Sequence, residues 1–137
     1  YRMSVTPLDW KFESKTGLTD NQIEQQVRLR LLEGLGWKQR LDSEPNNQPR
    51  FPEGTVQVEL DIIEAKRQKV AYRFRVVVNT PGNWPSPLQS QETGGAWHWE
   101  GGREGASKLG DYPRHFRKDM DAVLKELVAA WKARFEK

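Results

Sequence analysis

The chain has no cysteine among its 137 residues, which excludes disulfide frameworks, thiolate metal sites and thiol nucleophiles. It also lacks any run of about 18 apolar residues, so the sequence predicts no membrane-spanning helix. Histidine is scarce, since His98 and His115 are the only two. The chain therefore has few of the side chains from which nucleophilic or metal-dependent active sites are built.

Charge is abundant but not concentrated. The chain has 22 Lys and Arg against 19 Asp and Glu, for a net charge of +3, and neither sign forms a block. Basic segments that bind nucleic acid are usually denser than this. The length suits a single domain over residues 1–137, long enough to bury about two thirds of its unfolded surface.

The clearest pattern is a pair of alternating apolar and polar runs between residues 55 and 79. The apolar positions are Val56, Val58, Leu60 and Ile62 in the first run and Val70, Tyr72, Phe74, Val76 and Val78 in the second. Because a strand sends successive side chains to opposite faces, the two runs predict a half-buried hairpin. A turn at the break between them would place Asp61 opposite Arg73 and Glu59 opposite Arg75.

Two helices are predicted from spacing and capping. Thr19 as N-cap and Gln22 three residues later predict a capping box, which starts a helix over about residues 19–34. Apolar residues at steps of three and four predict a second helix over about residues 113–136.

Shorter extended pieces are predicted on either side of the first helix. Residues 1–12 alternate in two pieces around Pro7, which is typical of an edge strand with a bulge. Residues 37–41 have the composition of a short strand. We assign three tryptophans to the core, namely Trp10, Trp37 and Trp131.

These elements predict an α+β fold in the order β-α-(β)-β-β-α. An antiparallel sheet of three to five strands, with the hairpin 55–79 at its centre, carries the two helices on one face as a two-layer sandwich. A long loop rich in Trp, Gly and Pro is expected at about residues 80–110.

That loop is the candidate binding site. Residues 80–110 hold seven of the eleven glycines and three of the six tryptophans, and only residues 96–100 resemble a strand. Loops of this length in compact domains are commonly functional or disordered. The tryptophans either cover the end of a thin core or form a contact surface with nearby cations. The candidate binding residues are Trp84, Trp97, Trp99, Arg103 and Lys108.

Two other functions fit parts of the sequence. His98 and Glu100 would lie on one side of a strand and start a metal site for a hydrolase, but the sequence offers no third ligand, so no metal is expected. Arg73 and Arg75 would suit nucleic acid, although the interleaved acids neutralise the same face. A solvated face of ion pairs is the simpler interpretation.

The sequence thus favours a non-enzymatic binding or assembly domain without a cofactor, whose partner is another protein or an envelope component. We expect a location in the periplasm or at the bacterial cell envelope, as for a lipoprotein, with the cytoplasm as the alternative. Neither the partner nor the oligomeric state follows from the sequence.

Overall fold

The computed structural model describes residues 1–39, 54–66, 68–80 and 97–135, and in these it is a two-layer α+β fold. The strands are β1 (Arg2–Val5), β2 (Thr55–Lys66), β3 (Lys69–Thr80) and β4 (Trp97–Lys108). The helices are α1 (Trp10–Thr16), α2 (Asp20–Leu35) and α3 (Tyr112–Phe135), and a 3-10 turn (Leu109–Asp111) leads into α3. The predicted fold class is confirmed, with the order β-α-α-β-β-β-α.

The four described strands form one sheet in the order β1-β2-β3-β4. β2 pairs antiparallel with β3, and β3 antiparallel with β4. The predicted all-antiparallel sheet is wrong at one edge, because β1 runs parallel to β2. Two helices separate β1 from β2, and a helical connection can return the chain to the end of the sheet from which it left.

The predicted hairpin is confirmed with its register. Glu59 pairs with Arg75 and Asp61 with Arg73, and both pairs form ion pairs, at 2.7 and 3.2 Å. The register shifts between Ile62 and Glu64, so a bulge interrupts β2 before the turn.

The capping box of α2 is confirmed. The Thr19 hydroxyl accepts a hydrogen bond from the Gln22 backbone N–H, and the Gln22 side chain accepts one from the Thr19 backbone N–H. Gly36 ends the helix at φ 70°, a conformation that glycine adopts without strain.

The second extended piece predicted within residues 1–12 is wrong, because α1 begins at Trp10. Asp9 caps this helix by accepting a hydrogen bond from the Lys11 backbone N–H at 2.8 Å. The core-facing residues Phe12 and Thr16 are four apart, as a helix requires. Trp10 was assigned to the core, yet it is 71% exposed.

The predicted strand at residues 37–41 is also wrong where it can be examined, because residues 37–39 have no strand structure. Residues 40–41 lie outside the described part of the chain. Trp37 and Trp131 are buried, as predicted.

The core lies between the sheet and the helices. The even-numbered apolar residues of β2 and β3 are buried on the helix-facing side of the sheet, except that Ile62 is only partly buried. α3 supplies the opposing surface with seven buried side chains: Tyr112, Phe116, Met120, Val123, Leu124, Leu127 and Trp131. No described helix is long and apolar enough to span a membrane.

The strand-like piece predicted at residues 96–100 is confirmed over residues 97–100, but the predicted loop is wrong over residues 101–108, because β4 extends over all of residues 97–108. This strand pairs with β3 from Trp97↔Thr80 to Lys108↔Lys69 without a register shift. Residues 81–96, including Gly94 and Gly95, lie outside the described part of the chain.

Candidate binding edge of the sheet

The described members of the predicted binding set, Trp97, Trp99, Arg103 and Lys108, are spread along β4. Trp97, Trp99 and Arg103 share its helix-facing side, while Lys108 is exposed on the opposite side at the far end. Trp97 and Lys108 are eleven steps apart along the strand, which is about 36 Å at 3.3 Å per step. Trp84 lies outside the described residues.

Trp97 begins β4 as part of an aromatic cluster with α3. Its ring lies 5.2 Å from the Trp131 ring at an interplanar angle of 79°, and 6.2 Å from the Phe135 ring. Trp131 is buried, whereas Trp97 and Phe135 are partly exposed. Trp97 therefore contributes to the core and also presents part of its surface to solvent.

The Trp99 ring packs over Gly101, two residues further along the same strand. A Cβ atom at residue 101 would be 2.4 Å from the Trp99 ring, so the ring occupies the space that a side chain there would fill. Such coverage of a strand glycine by an aromatic ring stabilises strands that lack side chains of their own. Trp97 and Trp99 share a face, as their spacing predicted, but this face is turned towards α3.

Arg103 is tied to the protein itself. Its guanidinium donates hydrogen bonds to Glu126 on α3 and to the Gly102 backbone carbonyl at 2.9 Å. A charge on the helix-facing side of an edge strand discourages unspecific strand pairing.

The far side of β4 has a row of backbone groups that no described strand occupies, and we call this row the open edge of β4. The Leu109 N–H donates to the Gln68 carbonyl on the β3 side at 2.6 Å. Because the register is continuous and N–H directions alternate along a strand, odd-numbered residues of β4 bond to β3. The N–H and C=O groups of even-numbered residues therefore point to the open edge: His98, Glu100, Gly102, Glu104, Ala106 and Lys108.

The outer face of the sheet has two arginines, each between two carboxylates. Arg75 contacts Glu59 at 2.7 Å and Glu100 at 3.5 Å. Arg73 contacts Asp61 at 3.2 Å and Glu104 at 3.9 Å. These residues line a shallow concavity of about 890 Å³. Its four carboxylates outnumber its three arginines, Arg103 being the third, which disfavours nucleic acid in this concavity.

His98 and Glu100 lie side by side on this outer face, near the first residues of β4. The His98 Nε2 atom is 3.1 Å from a Glu100 carboxylate oxygen, and its Nδ1 atom is 2.5 Å from the Asn79 amide oxygen. No group of three or more metal-ligating side chains occurs among the described residues. The predicted adjacency of His98 and Glu100 is thus confirmed, and it forms a hydrogen-bonded pair.

One polar cluster was not foreseen. The buried Tyr72 hydroxyl donates to Asp119 at 2.5 Å and lies 2.8 Å from the His115 Nδ1 atom. Burial, together with the hydrogen bond to Asp119 and the charge of that carboxylate, raises the pKa of Tyr72 well above its ordinary value. Tyr72 therefore stays protonated and joins β3 to α3 as a donor. The i, i+4 spacing of His115 and Asp119 was the available sequence signal.

No protein-family model and no curated protein sequence matches this chain. Among solved structures, the chain is similar to the crystal structure of a minor lipoprotein from Acinetobacter baumannii. The two share 13% sequence identity, the match covers 96% of this chain and 92% of that one, and the TM-score is 0.34. A likeness at this TM-score carries no argument about family or function.

Proposed function

We propose that this protein is a non-catalytic binding domain that holds another protein along the open edge of β4. The observation that carries the proposal is the length of that edge, because β4 runs for 12 residues and is the last of the described strands in the sheet. An edge strand presents unpaired N–H and C=O groups, and an extended segment of a partner can add to them as a further strand.

The aromatic cluster at the start of β4 supports the same proposal. Trp97 and Phe135 are partly exposed beside the first residues of the open edge. Partly exposed aromatic rings provide apolar contact area at little cost in side-chain entropy, and binding energy concentrates on such residues. Trp97 and Trp99 would contact the partner at this end of the strand.

The proposal includes a location in the periplasm or at the bacterial cell envelope, as for a lipoprotein. A chain without cysteine needs no disulfide and is compatible with an oxidising compartment. Fractionation of the native host with an antibody against this chain tests the location. Recovery in the cytoplasmic fraction would contradict it.

A proline at residue 106 tests strand addition at the open edge. The Ala106 side chain is exposed and its N–H points away from β3. Ala106→Pro therefore removes a hydrogen-bond donor from the open edge without removing a bond to β3. We expect the wild-type protein to retain a specific partner from a native extract, identified by mass spectrometry, and Ala106→Pro to lose it.

Ala106→Ser is the matched control, since it keeps the N–H and changes the side chain by one oxygen atom. Circular dichroism and thermal melting establish that both variants fold. If folded Ala106→Pro retains the same partner as the wild type, the open edge of β4 is not the binding surface.

A further inference from the structure

We infer that the partner segment at the open edge of β4 is an extended strand with basic residues four positions apart, separated by alternating apolar residues. This inference rests on the proposed function and specifies the chemistry of its partner. It follows from the side chains that β4 displays on its two faces.

The outer face of the sheet requires the basic residues. Glu100 and Glu104 both lie on β4, on this face, and both residues also direct their backbone groups to the open edge. A strand added there would place one of its residues directly opposite each of them, with Cβ atoms about 5.5 Å apart. Opposite charges at such positions stabilise strand pairing, and like charges oppose it.

The existing ion pairs leave both carboxylates able to accept a further cation. Glu104 has a 71% exposed side chain and is 3.9 Å from Arg73, its ion-pair partner. Glu100 has a 44% exposed side chain, shares Arg75 with Glu59, and uses one carboxylate oxygen for His98 at 3.1 Å. The guanidinium groups of Arg73 and Arg75 serve four carboxylates, so the part of the face around Glu100 and Glu104 keeps an excess of negative charge that further cations would reduce.

The helix-facing side of the sheet requires the apolar residues. On this side β4 presents Trp97, Trp99, Gly101, Arg103 and Gly105 in turn. Arg103 already pairs with Glu126, so a second cation opposite it would be repelled. Apolar side chains at these positions would extend the partly exposed aromatic surface that begins at Trp97.

Gly102 lies midway between the two carboxylates on β4. A Cβ atom at residue 102 would be 2.2 Å from the Phe74 carbonyl oxygen, so glycine is required there. The added strand consequently meets no side chain at this point and can carry a small residue opposite it. The expected partner motif is basic, apolar, small, apolar, basic, and it is the same in both chain directions.

A synthetic peptide tests the motif directly. The probe has about nine residues, with threonine and valine alternating and lysine replacing the threonines at its third and seventh positions. An otherwise identical peptide has glutamate at those positions. We expect the lysine peptide to bind the wild-type protein at least about tenfold more tightly in dilute salt, with the difference shrinking in about 0.5 M salt.

Amide hydrogen exchange locates the bound peptide. Strand addition should slow exchange at Glu100, Gly102, Glu104 and Ala106, whose N–H groups point outward, and leave the alternate residues unchanged. Glu100→Gln with Glu104→Gln should abolish the preference for lysine over glutamate. Equal binding of the two peptides to the wild type would overturn the proposed motif.

The two proposals fail in distinguishable ways. If Ala106→Pro loses the cellular partner but the wild type shows no preference for the lysine peptide, the open edge binds a partner of different chemistry. If folded Ala106→Pro binds the lysine peptide as tightly as the wild type does, strand addition itself is wrong.

Discussion

The hydroxyl oxygen of Tyr72 lies 2.4 Å from the position that a Cβ atom would occupy at residue 105, directly across the ladder between β3 and β4. A carbon atom and an oxygen atom that are not bonded do not approach so closely. Residue 105 is therefore restricted to glycine, because the Tyr72 hydroxyl occupies the position that a Cβ atom would need. Tyr72 cannot readily move, since it is fully buried and bonded to Asp119 and His115.

This relationship predicts that Gly105→Ala is destabilising. Replacing a strand glycine by alanine ordinarily stabilises by about 0.5–1 kcal/mol. Here the new methyl group would displace the Tyr72 ring or separate the strands, and we expect the free energy of unfolding to fall by about 1–3 kcal/mol. Urea denaturation measures the change.

Gly110→Ala is the matched control, because a Cβ atom there would meet nothing within 4 Å. We expect it to leave the free energy of unfolding within about 1 kcal/mol of the wild-type value. A Gly105→Ala protein as stable as the control would show that Tyr72 yields without cost.

The same relationship explains why the sequence predicted only the first residues of β4 and not the rest of the strand. Strands are recognised by alternating apolar residues, and on its helix-facing side β4 has Gly101, Gly105 and Ser107 where apolar residues are expected. The apolar surface over two of these positions comes from elsewhere, since Trp99 covers Gly101 and Tyr72 covers Gly105. The alternation of residue types along a strand does not show that an aromatic ring from a different residue covers a glycine.

The hairpin and α2 were predictable because their signals are local. The side chains of Glu59 and Arg75 alternate with apolar neighbours on their own strands, and the capping box from Thr19 to Gln22 spans four residues. α1 was not predicted because its seven residues cover only two turns, which is too short for a helical pattern. The apolar residues Trp10 and Phe12 are two positions apart, and this spacing is typical of a strand. Of the candidate site, the shared face of Trp97 and Trp99 was predictable, but its orientation towards α3 depends on long-range pairing.

The contact between α2 and α3 predicts a pH dependence. Asp121 on α3 accepts hydrogen bonds from Arg30 at 2.9 Å and from Gln26 at 3.0 Å, both on α2. Burial raises the pKa of Asp121, but these bonds and the charge of Arg30 outweigh burial and hold the pKa below its ordinary value. A lowered pKa in the folded state means that ionised Asp121 stabilises the protein.

We therefore expect Asp121→Asn to reduce the free energy of unfolding at pH 7 by about 1 kcal/mol. The stabilisation is complete above the unfolded pKa of about 3.9 and is lost as pH falls through the lowered folded pKa. Denaturation of both proteins across this pH range should show that the wild-type protein loses its extra stability over Asp121→Asn in acid.

Glu33→Gln is the control, because Glu33 also pairs with Arg30 but lies on α2 itself. An equal loss from Glu33→Gln would contradict a role for the contact between helices.

The last prediction separates the structural and binding roles of Trp97. Its ring packs edge-on against buried Trp131 and contacts Phe135, so Trp97→Ala removes aromatic contacts from one end of the core. Truncating a fully buried aromatic side chain lowers the free energy of unfolding by about 3–5 kcal/mol, and for the partly exposed Trp97 ring we expect a loss of about 1–3 kcal/mol.

Trp10→Ala is the matched control, because Trp10 is 71% exposed and its truncation should change the free energy of unfolding by no more than about 0.5 kcal/mol. If Trp97→Ala is as stable as Trp10→Ala, the ring does not support the core. If Trp97→Ala remains folded and also loses the partner that Trp10→Ala retains, the half-exposed ring serves both roles, as a residue at the start of a binding edge should.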